Sequence, residues 1–245
     1  MVIQVKNLNF SYPGKTALQD INFSFKRGDF AGITGSTGSG KTTLAYCLNG
    51  LIPHAIRGKF SGTVKVCGLD TRKYKITELA KMIGLVFQDP DWQLFSLSVK
   101  DEISFGLKNL RMENIEKRIR KAIEMVGLEG YEETEPHRLS QGQRQKLCIA
   151  SVLAMEPDII ILDEPASQLD YRSTMNVYRI LKQLNRENKT IIVIEHDTDI
   201  LATYANKMIL MDNKRIVKQG PTKDVLSQKK ILERLGVKIP RCFLK

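Results

Sequence analysis

Residues 35–42 read Gly35-Ser36-Thr37-Gly38-Ser39-Gly40-Lys41-Thr42 and satisfy the pattern G-x-x-x-x-G-K-[ST] at every fixed position. The glycines let successive backbone N–H groups curl into a nest that binds an anion. Lys41 has the reach for β- and γ-phosphates, and the Thr42 hydroxyl is the right ligand type for Mg²⁺. The flanks supply the context such a loop needs. Residues 29–34 read as a short buried strand and residues 43–48 as the first turns of a helix, whose dipole adds positive charge at the loop. Strand, glycine turn and helix N-terminus together read as a site for a nucleoside triphosphate.

A second set of polar residues ends the strands. Ile159-Ile160-Ile161-Leu162 is an uninterrupted apolar run, as in the middle of a parallel sheet covered on both faces. Asp163 and Glu164 close it at the carboxyl edge, where α/β ligands bind. Asp163 is placed to hold Mg²⁺ through its water shell. Glu164, expected on the other side of the strand, can orient or deprotonate a water, a role worth ~10²–10⁴ in rate. Alone, the two acids would read as a helix cap or turn. His196 ends the next strand at the same edge, as a γ-phosphate contact or as a structural histidine. Gln88 also ends a strand there; it touches Mg²⁺ or the attacking water, or is an exposed loop glutamine. Tyr12, just before Pro13-Gly14, either stacks on a nucleobase or is a half-buried strand tyrosine. His54 and His137 sit in loop-like stretches and carry no role.

These residues need an α/β scaffold, and the periodicities supply one. Ile3, Val5, Leu8 and Phe10, then Ile21, Phe23 and Phe25, alternate around Pro13-Gly14 as antiparallel strands do. Residues 62–68 read as an edge strand and 82–87 as a buried one. From about 99 to 136 the chain is helical, with Ile115, Ile119, Ala122, Ile123 and Val126 forming one apolar face. A helix over 144–155, a strand from Ile159 ending in the two acids Asp163 and Glu164, a helix over about 173–187, a strand over 190–195 and a hairpin around Asp212-Asn213-Lys214 follow. Beyond about residue 222 the chain reads as helical and polar.

With 245 residues, 42% hydrophobic and 27% charged, the composition is that of a soluble globular chain with a substantial core. No apolar run approaches the ~18 residues of a membrane span, and the N-terminus lacks the layout of a signal peptide. Cys47, Cys67, Cys148 and Cys242 are scattered, without a C-x-x-C pair, so zinc and a disulfide framework are not indicated. The net charge of +11 invites nucleic acid, but no aromatic-interleaved basic motif stands out. A basic surface equally suits work against an anionic cytoplasmic leaflet.

The ordered set resembles the ATPase subunit of an ATP-binding-cassette (ABC) transporter over nearly the whole chain. Tyr12 falls at the adenine-stacking position, Gly35 to Thr42 at Walker A and Gln88 at the Q-loop. Leu139-Ser140-Gln141-Gly142-Gln143 falls at the signature, Ile159 to Glu164 at Walker B, Ser167-Gln168-Leu169-Asp170 at the D-loop and His196 at the switch histidine. The segment from Phe87 through Asp89-Pro90-Asp91-Trp92 to Phe95 further resembles the energy-coupling-factor branch, related to cobalt and vitamin uptake.

The resemblance implies an α/β fold: a P-loop NTPase core with a mainly parallel sheet, an N-terminal antiparallel β subdomain and an inserted α-helical subdomain. It implies one domain over 1–245, with core at 1–87 and 157–220. The Q-loop, helical subdomain and signature helix occupy 88–156, and a short helical tail 221–245. Catalysis falls to Glu164, His196 and Gln88, and Mg²⁺ to Thr42, Gln88 and Asp163. ATP is held by Tyr12, by Gly35, Ser36, Thr37, Gly38, Ser39, Gly40, Lys41, Thr42 and Thr43 and, from a facing cassette, by Ser140, Gly142 and Gln143. The partners implied are a second cassette, the same chain or, as favoured here, a different one, and a transmembrane subunit docked at Gln88 to Phe95. There Trp92, Leu94 and Phe95 are apolar contacts or core. No nucleic acid is expected, and the implied location is the cytoplasmic face of the membrane, peripherally bound.

The departures are Gln141 where the signature usually has glycine, Ala166 for the usual threonine and Gln168 for the usual alanine. They imply retained but reduced hydrolysis and a non-identical partner. The end near Arg241 implies a shortened C-terminal region and weaker self-association. The alternatives are a soluble ABC-type ATPase acting on ribosomes or nucleic acid, and a nucleotide-gated regulatory module.

Overall fold

A computed structural model describes residues 1–244; Lys245, the last residue of the expected tail, lies outside the described residues. The chain opens with β1 (Ile3–Tyr12) and β2 (Lys15–Phe25), paired antiparallel so that Val5 faces Phe23 and Leu8 faces Ile21. The alternating apolar residues all point inward: Ile3, Leu8, Phe10, Leu18 and Ile21 have no exposed surface. This is the half-buried pattern that period-two sequences adopt. β3 (Phe30–Gly35) follows, buried along its whole length, and leads through the glycine turn into α1 (Lys41–Leu48). A kinked single turn, α2 (Leu51–His54), precedes β4 (Lys59–Val66) and the two-residue β5 (Leu69–Asp70). The first sheet runs β2-β1-β4-β5, so β4 is flanked on both sides rather than lying at the edge as expected.

A single turn, α3 (Ile76–Leu79), leads to β6 (Ile83–Val86). The inserted helices are α4 (Val99–Asn109) and α5 (Ile115–Val126), followed by an irregular stretch and then α6 (Gln141–Ala154). Ile119, Ala122, Ile123 and Val126 of α5 are buried against the core of α4 and α6, as their spacing requires. The second sheet is completed by β7 (Ile159–Asp163), β8 (Thr190–Ile194), β9 (Lys207–Asp212) and β10 (Arg215–Pro221). Between them lie α7 (Tyr171–Arg186) and α8 (Thr198–Tyr204). Its order is β10-β9-β3-β8-β7-β6, parallel throughout except β10. The central strands are apolar on both faces because separate cores cover each side.

The tail is less polar than its sequence suggests. α9 (Thr222–Leu226), α10 (Lys229–Arg234) and the stretch just beyond them bury Val225, Leu226, Leu232 and Val237 against Leu201, Met208 and Leu210. Residue 221 belongs to β10, so the helical part starts one residue later than expected. Lys238 then reaches both Asp197 (3.2 Å) and Asp199 (2.7 Å). The expected polarity came from the lysines of α10, whose apolar residues are too few to show a period.

Candidate active site

β3, β7 and β8 are neighbours in one parallel sheet, so the segments that follow them meet at one edge. The turn after β3 has φ of +146° at Gly35, +73° at Gly38 and +103° at Gly40. A methyl group on Gly35 would run into the Met211 carbonyl, and one on Gly40 into that of Ala17. Glycine is therefore required at both by backbone shape and by close approach. Ser36 donates to Asp212 Oδ1 at 2.6 Å, tying the loop to the end of β9. Lys41, almost fully buried, curls back onto the carbonyls of Gly35 (3.1 Å) and Ser36 (3.0 Å). Burial lowers its pKa, while the charges of Glu164 and Asp163 work against that shift.

Asp163 is 2% exposed, and its Oδ1 has no hydrogen-bond partner. Burial raises its pKa, and a hydrogen bond from Thr42 offsets part of that. Ser39 Oγ is likewise buried without a partner. An orphan carboxylate oxygen beside a hydroxyl, and a second orphan hydroxyl inside the glycine loop, are polar groups shaped for something the protein does not itself supply. Among the described residues no cluster of three or more His, Cys, Asp or Glu side chains forms a self-contained metal cage.

Glu164 departs from the expectation that it lies on the opposite face from Asp163. β7 ends at Asp163, and Glu164 adopts a left-handed conformation (φ +49°), with its N–H donating to the Ile194 carbonyl. Strand alternation no longer applies, and both acids lie within electrostatic reach of Lys41. The Glu164 carboxylate is held from two sides: Gln88 Nε2 donates to Oε2 at 2.7 Å, and His196 Nε2 lies 2.9 Å from Oε1. Gln88 and His196 are both exposed and follow β6 and β8 by two residues.

A cleft of about 490 Å³ is lined by Tyr12, Thr37, Gly38, Gly40, Lys41, Thr42, Thr43, Gln88, Glu164 and His196. The Tyr12 hydroxyl lies 3.2 Å from Thr43 Oγ1, and its ring packs edge-on to Phe10. Tyr12 is thus both half-buried and at the mouth of the cleft. Lys15 and Lys214, on two hairpins, also line the cleft and were not singled out by sequence. Asp212 was missed as well, although it ends a strand at the same edge.

Ser140, Gly142 and Gln143 do not line this cleft. Ser140 caps α6, accepting from the Gln143 N–H (3.3 Å) while Gln143 Oε1 accepts from the Ser140 N–H (2.8 Å). That reciprocal box accounts for the helix starting at Gln141, three residues before the expected start. Gln141 is exposed at this helix N-terminus, Ala166 packs at the edge of the second core, and Gln168 Oε1 is buried without a partner.

Beyond Gln88, the buried Glu102 accepts from the N–H groups of Phe95 (3.1 Å) and Ser96 (2.9 Å) and so fixes the loop. Trp92 and Phe95 are 82% and 65% exposed, whereas Leu94 is partly buried against the second core. A groove of about 350 Å³ beside them is lined by Leu51, Phe87, Trp92, Phe95, Phe105 and Met155, among others.

A family model described as ABC transporter matches residues 18–167. The chain is 45% identical over 244 residues to a Pyrococcus abyssi protein provisionally named an ABC transporter ATP-binding protein, spanning 98% of this chain and 87% of that one. It is 38% identical over 245 residues to the energy-coupling factor transporter ATP-binding protein EcfA of Methanocaldococcus jannaschii, spanning 98% and 86%. The solved structure of cbiO1 from Clostridium perfringens, described as part of the ABC transporter complex cbiONQ, superposes with TM-score 0.80 at 35% identity, over 99% of this chain and 97% of that one. A dimeric post-hydrolysis state of the ATP-binding cassette MJ0796, bound to ADP and Pi, superposes with TM-score 0.80 at 28% identity, over 90% and 98%.

Proposed function

The chain belongs to the ABC transporter family as an ATP-hydrolysing cassette, and from that premise we propose that it powers an energy-coupling-factor type importer of a vitamin or metal ion. The observation that carries the catalytic part is the Glu164 carboxylate, held between Gln88 and His196 across the cleft from the phosphate loop. Both oxygens of the carboxylate are held, so the group is fixed in place rather than free to rotate and can accept from a water entering the cleft. Glu164 takes that water's proton as it attacks the γ-phosphate, and His196 and Gln88 hold Glu164 and the water in register.

Binding falls to Gly35 through Thr43. Backbone N–H groups of the glycine turn and Lys41 hold the phosphates, with Lys41 exchanging its two carbonyl contacts for phosphate oxygens. Ser39 Oγ, orphaned here, is a further donor. The Thr42 hydroxyl, Asp163 Oδ1 and Gln88 are the hard oxygen ligands suited to Mg²⁺, which takes one or two protein groups together with substrate phosphates. When bound, Mg²⁺ neutralises charge developing on the phosphate oxygens. Tyr12 offers its ring to the base.

Ser140, Gly142 and Gln143 lie away from this cleft, at the exposed start of a 14-residue helix. They act on the nucleotide of a facing cassette, the helix dipole and N–H groups being directed at its γ-phosphate. The dimeric relative supports such pairing. Gln141 favours a non-identical partner with a more regular signature. The exposed Trp92 and Phe95 beside an apolar groove support docking of a transmembrane subunit at the cytoplasmic membrane face. No helix of the described residues is long and apolar enough to cross a membrane.

Purification from membranes under mild detergent tests the transport reading. Recovery with a hydrophobic integral protein is the expected result. Recovery only with ribosomes or nucleic acid would contradict it.

A further inference from the structure

Behind the His196–Glu164 contact lies a buried pair that the chemistry above leaves unused. Glu195 follows directly on the apolar run of β8 and is only 5% exposed. Its Oε1 accepts from the backbone N–H groups of His196 (2.8 Å) and Asp197 (3.3 Å). Its Oε2 accepts from the hydroxyl of Tyr178 (3.1 Å), a side chain of α7 with no exposed surface. The Tyr178 ring is in turn packed on Tyr204 of α8, with centroids 5.1 Å apart. Asp197, the next residue but one, caps α8 by accepting from the Asp199 N–H at 3.0 Å.

A buried carboxylate is costly unless hydrogen-bonded, and no Lys or Arg among the described residues forms an ion pair with Glu195. An apolar or hydroxyl side chain would fill the end of β8 at lower cost. What the carboxylate provides is two charge-assisted bonds to the main chain of His196 and its neighbour, stronger than neutral ones. The imidazole itself is 48% exposed, so packing does little to hold it. Its position depends on its backbone.

We propose that Glu195 is a positioning residue for hydrolysis: with Tyr178 steadying its carboxylate, it sets the main chain of His196 and so keeps the imidazole on Glu164. This rests on the reading of His196 given above. The brace reaches neither nucleotide nor water, so its loss is felt in turnover and not in binding.

The test uses the full chain, with steady-state ATPase rates and titration of a fluorescent ATP analogue. Glu195→Ala, Glu195→Gln and Tyr178→Phe are each measured alone and with His196→Ala. Glu195→Ala is expected to lower kcat about ten-fold while KM and analogue affinity stay within about two-fold. Glu195→Gln, which keeps an acceptor for both N–H groups, restores most of the rate, and Tyr178→Phe falls between. In the His196→Ala background the additional loss disappears, because coupled residues are non-additive. An equal factor lost in both backgrounds, or a KM that rises as far as kcat falls, overturns the proposal. Should Glu195→Ala fail to fold, Tyr178→Phe carries the same cycle by removing a single hydroxyl. If His196→Ala alone leaves kcat unchanged, the reading of His196 itself fails. If it lowers kcat and the cycle is additive, only the brace fails.

Discussion

The imidazole Nε2 of His196 lies 2.9 Å from Glu164 Oε1, joining the segments that follow two adjacent parallel strands. Gln88 takes the other carboxylate oxygen, so Glu164 is constrained at both ends. Glu164→Gln keeps the shape and removes the proposed base. Its ATPase rate is expected to fall ~10²–10⁴-fold, with nucleotide affinity retained. Rates and titrations measured on the same preparation check this; equal rates for variant and wild type would remove Glu164 from its role.

Asp163 carries a stability cost in the nucleotide-free fold. Burial raises its carboxyl pKa, so its favourable contribution is complete below the unfolded value of about 3.9 and is lost as pH rises through the folded value. At neutral pH the ionised group therefore destabilises the nucleotide-free fold. Asp163→Asn is expected to melt higher than wild type at pH 7, the gap closing as pH approaches 4, while Mg²⁺-dependent hydrolysis drops. Melting curves across pH read the difference; a lower melting point at neutral pH would contradict it.

The loop glycines are not equivalent. Gly38 has positive φ but open space around it, so Gly38→Ala carries only left-handed strain, about 1–2 kcal/mol. Gly35→Ala would collide with the Met211 main chain and Gly40→Ala with that of Ala17. Both should unfold at lower temperature than Gly38→Ala and lose nucleotide binding. Calorimetry with and without ATP separates the three.

Trp92 is the one tryptophan of the chain and is largely exposed, which makes it a reporter for docking. Adding the membrane subunit in detergent should shift its emission to the blue as the ring leaves water. Trp92→Ala should weaken co-purification while leaving the nucleotide affinity of the isolated cassette unchanged. An emission spectrum indifferent to the partner would place the docking surface elsewhere.

Local spacing made much of this legible. The phosphate loop is a contiguous run, and Asp163, Gln88 and His196 each end or follow an apolar strand that the sequence displays. Hidden were the partnerships across long separations: Asp212 on Ser36, and Tyr178 on Glu195. No periodicity encodes them, because each depends on which elements become neighbours in the fold. The left-handed turn at Glu164 was hidden too, since nothing in Asp163-Glu164-Pro165 announces that the strand stops after the first acid. The tail misled for a related reason: α10 spans six residues, too few for an apolar face to stand out among its lysines and arginine.

The central claim is that the loop around Lys41 grips a triphosphate firmly enough for ATP to join two cassettes. Sedimentation of Glu164→Gln with MgATP, alongside the Lys41→Ala, Glu164→Gln double variant, measures it directly, with the partner cassette added if the chain does not pair with itself. The account predicts an ATP-dependent two-cassette species for the first and single cassettes for the second. Equal pairing and equal nucleotide affinity in both would contradict it.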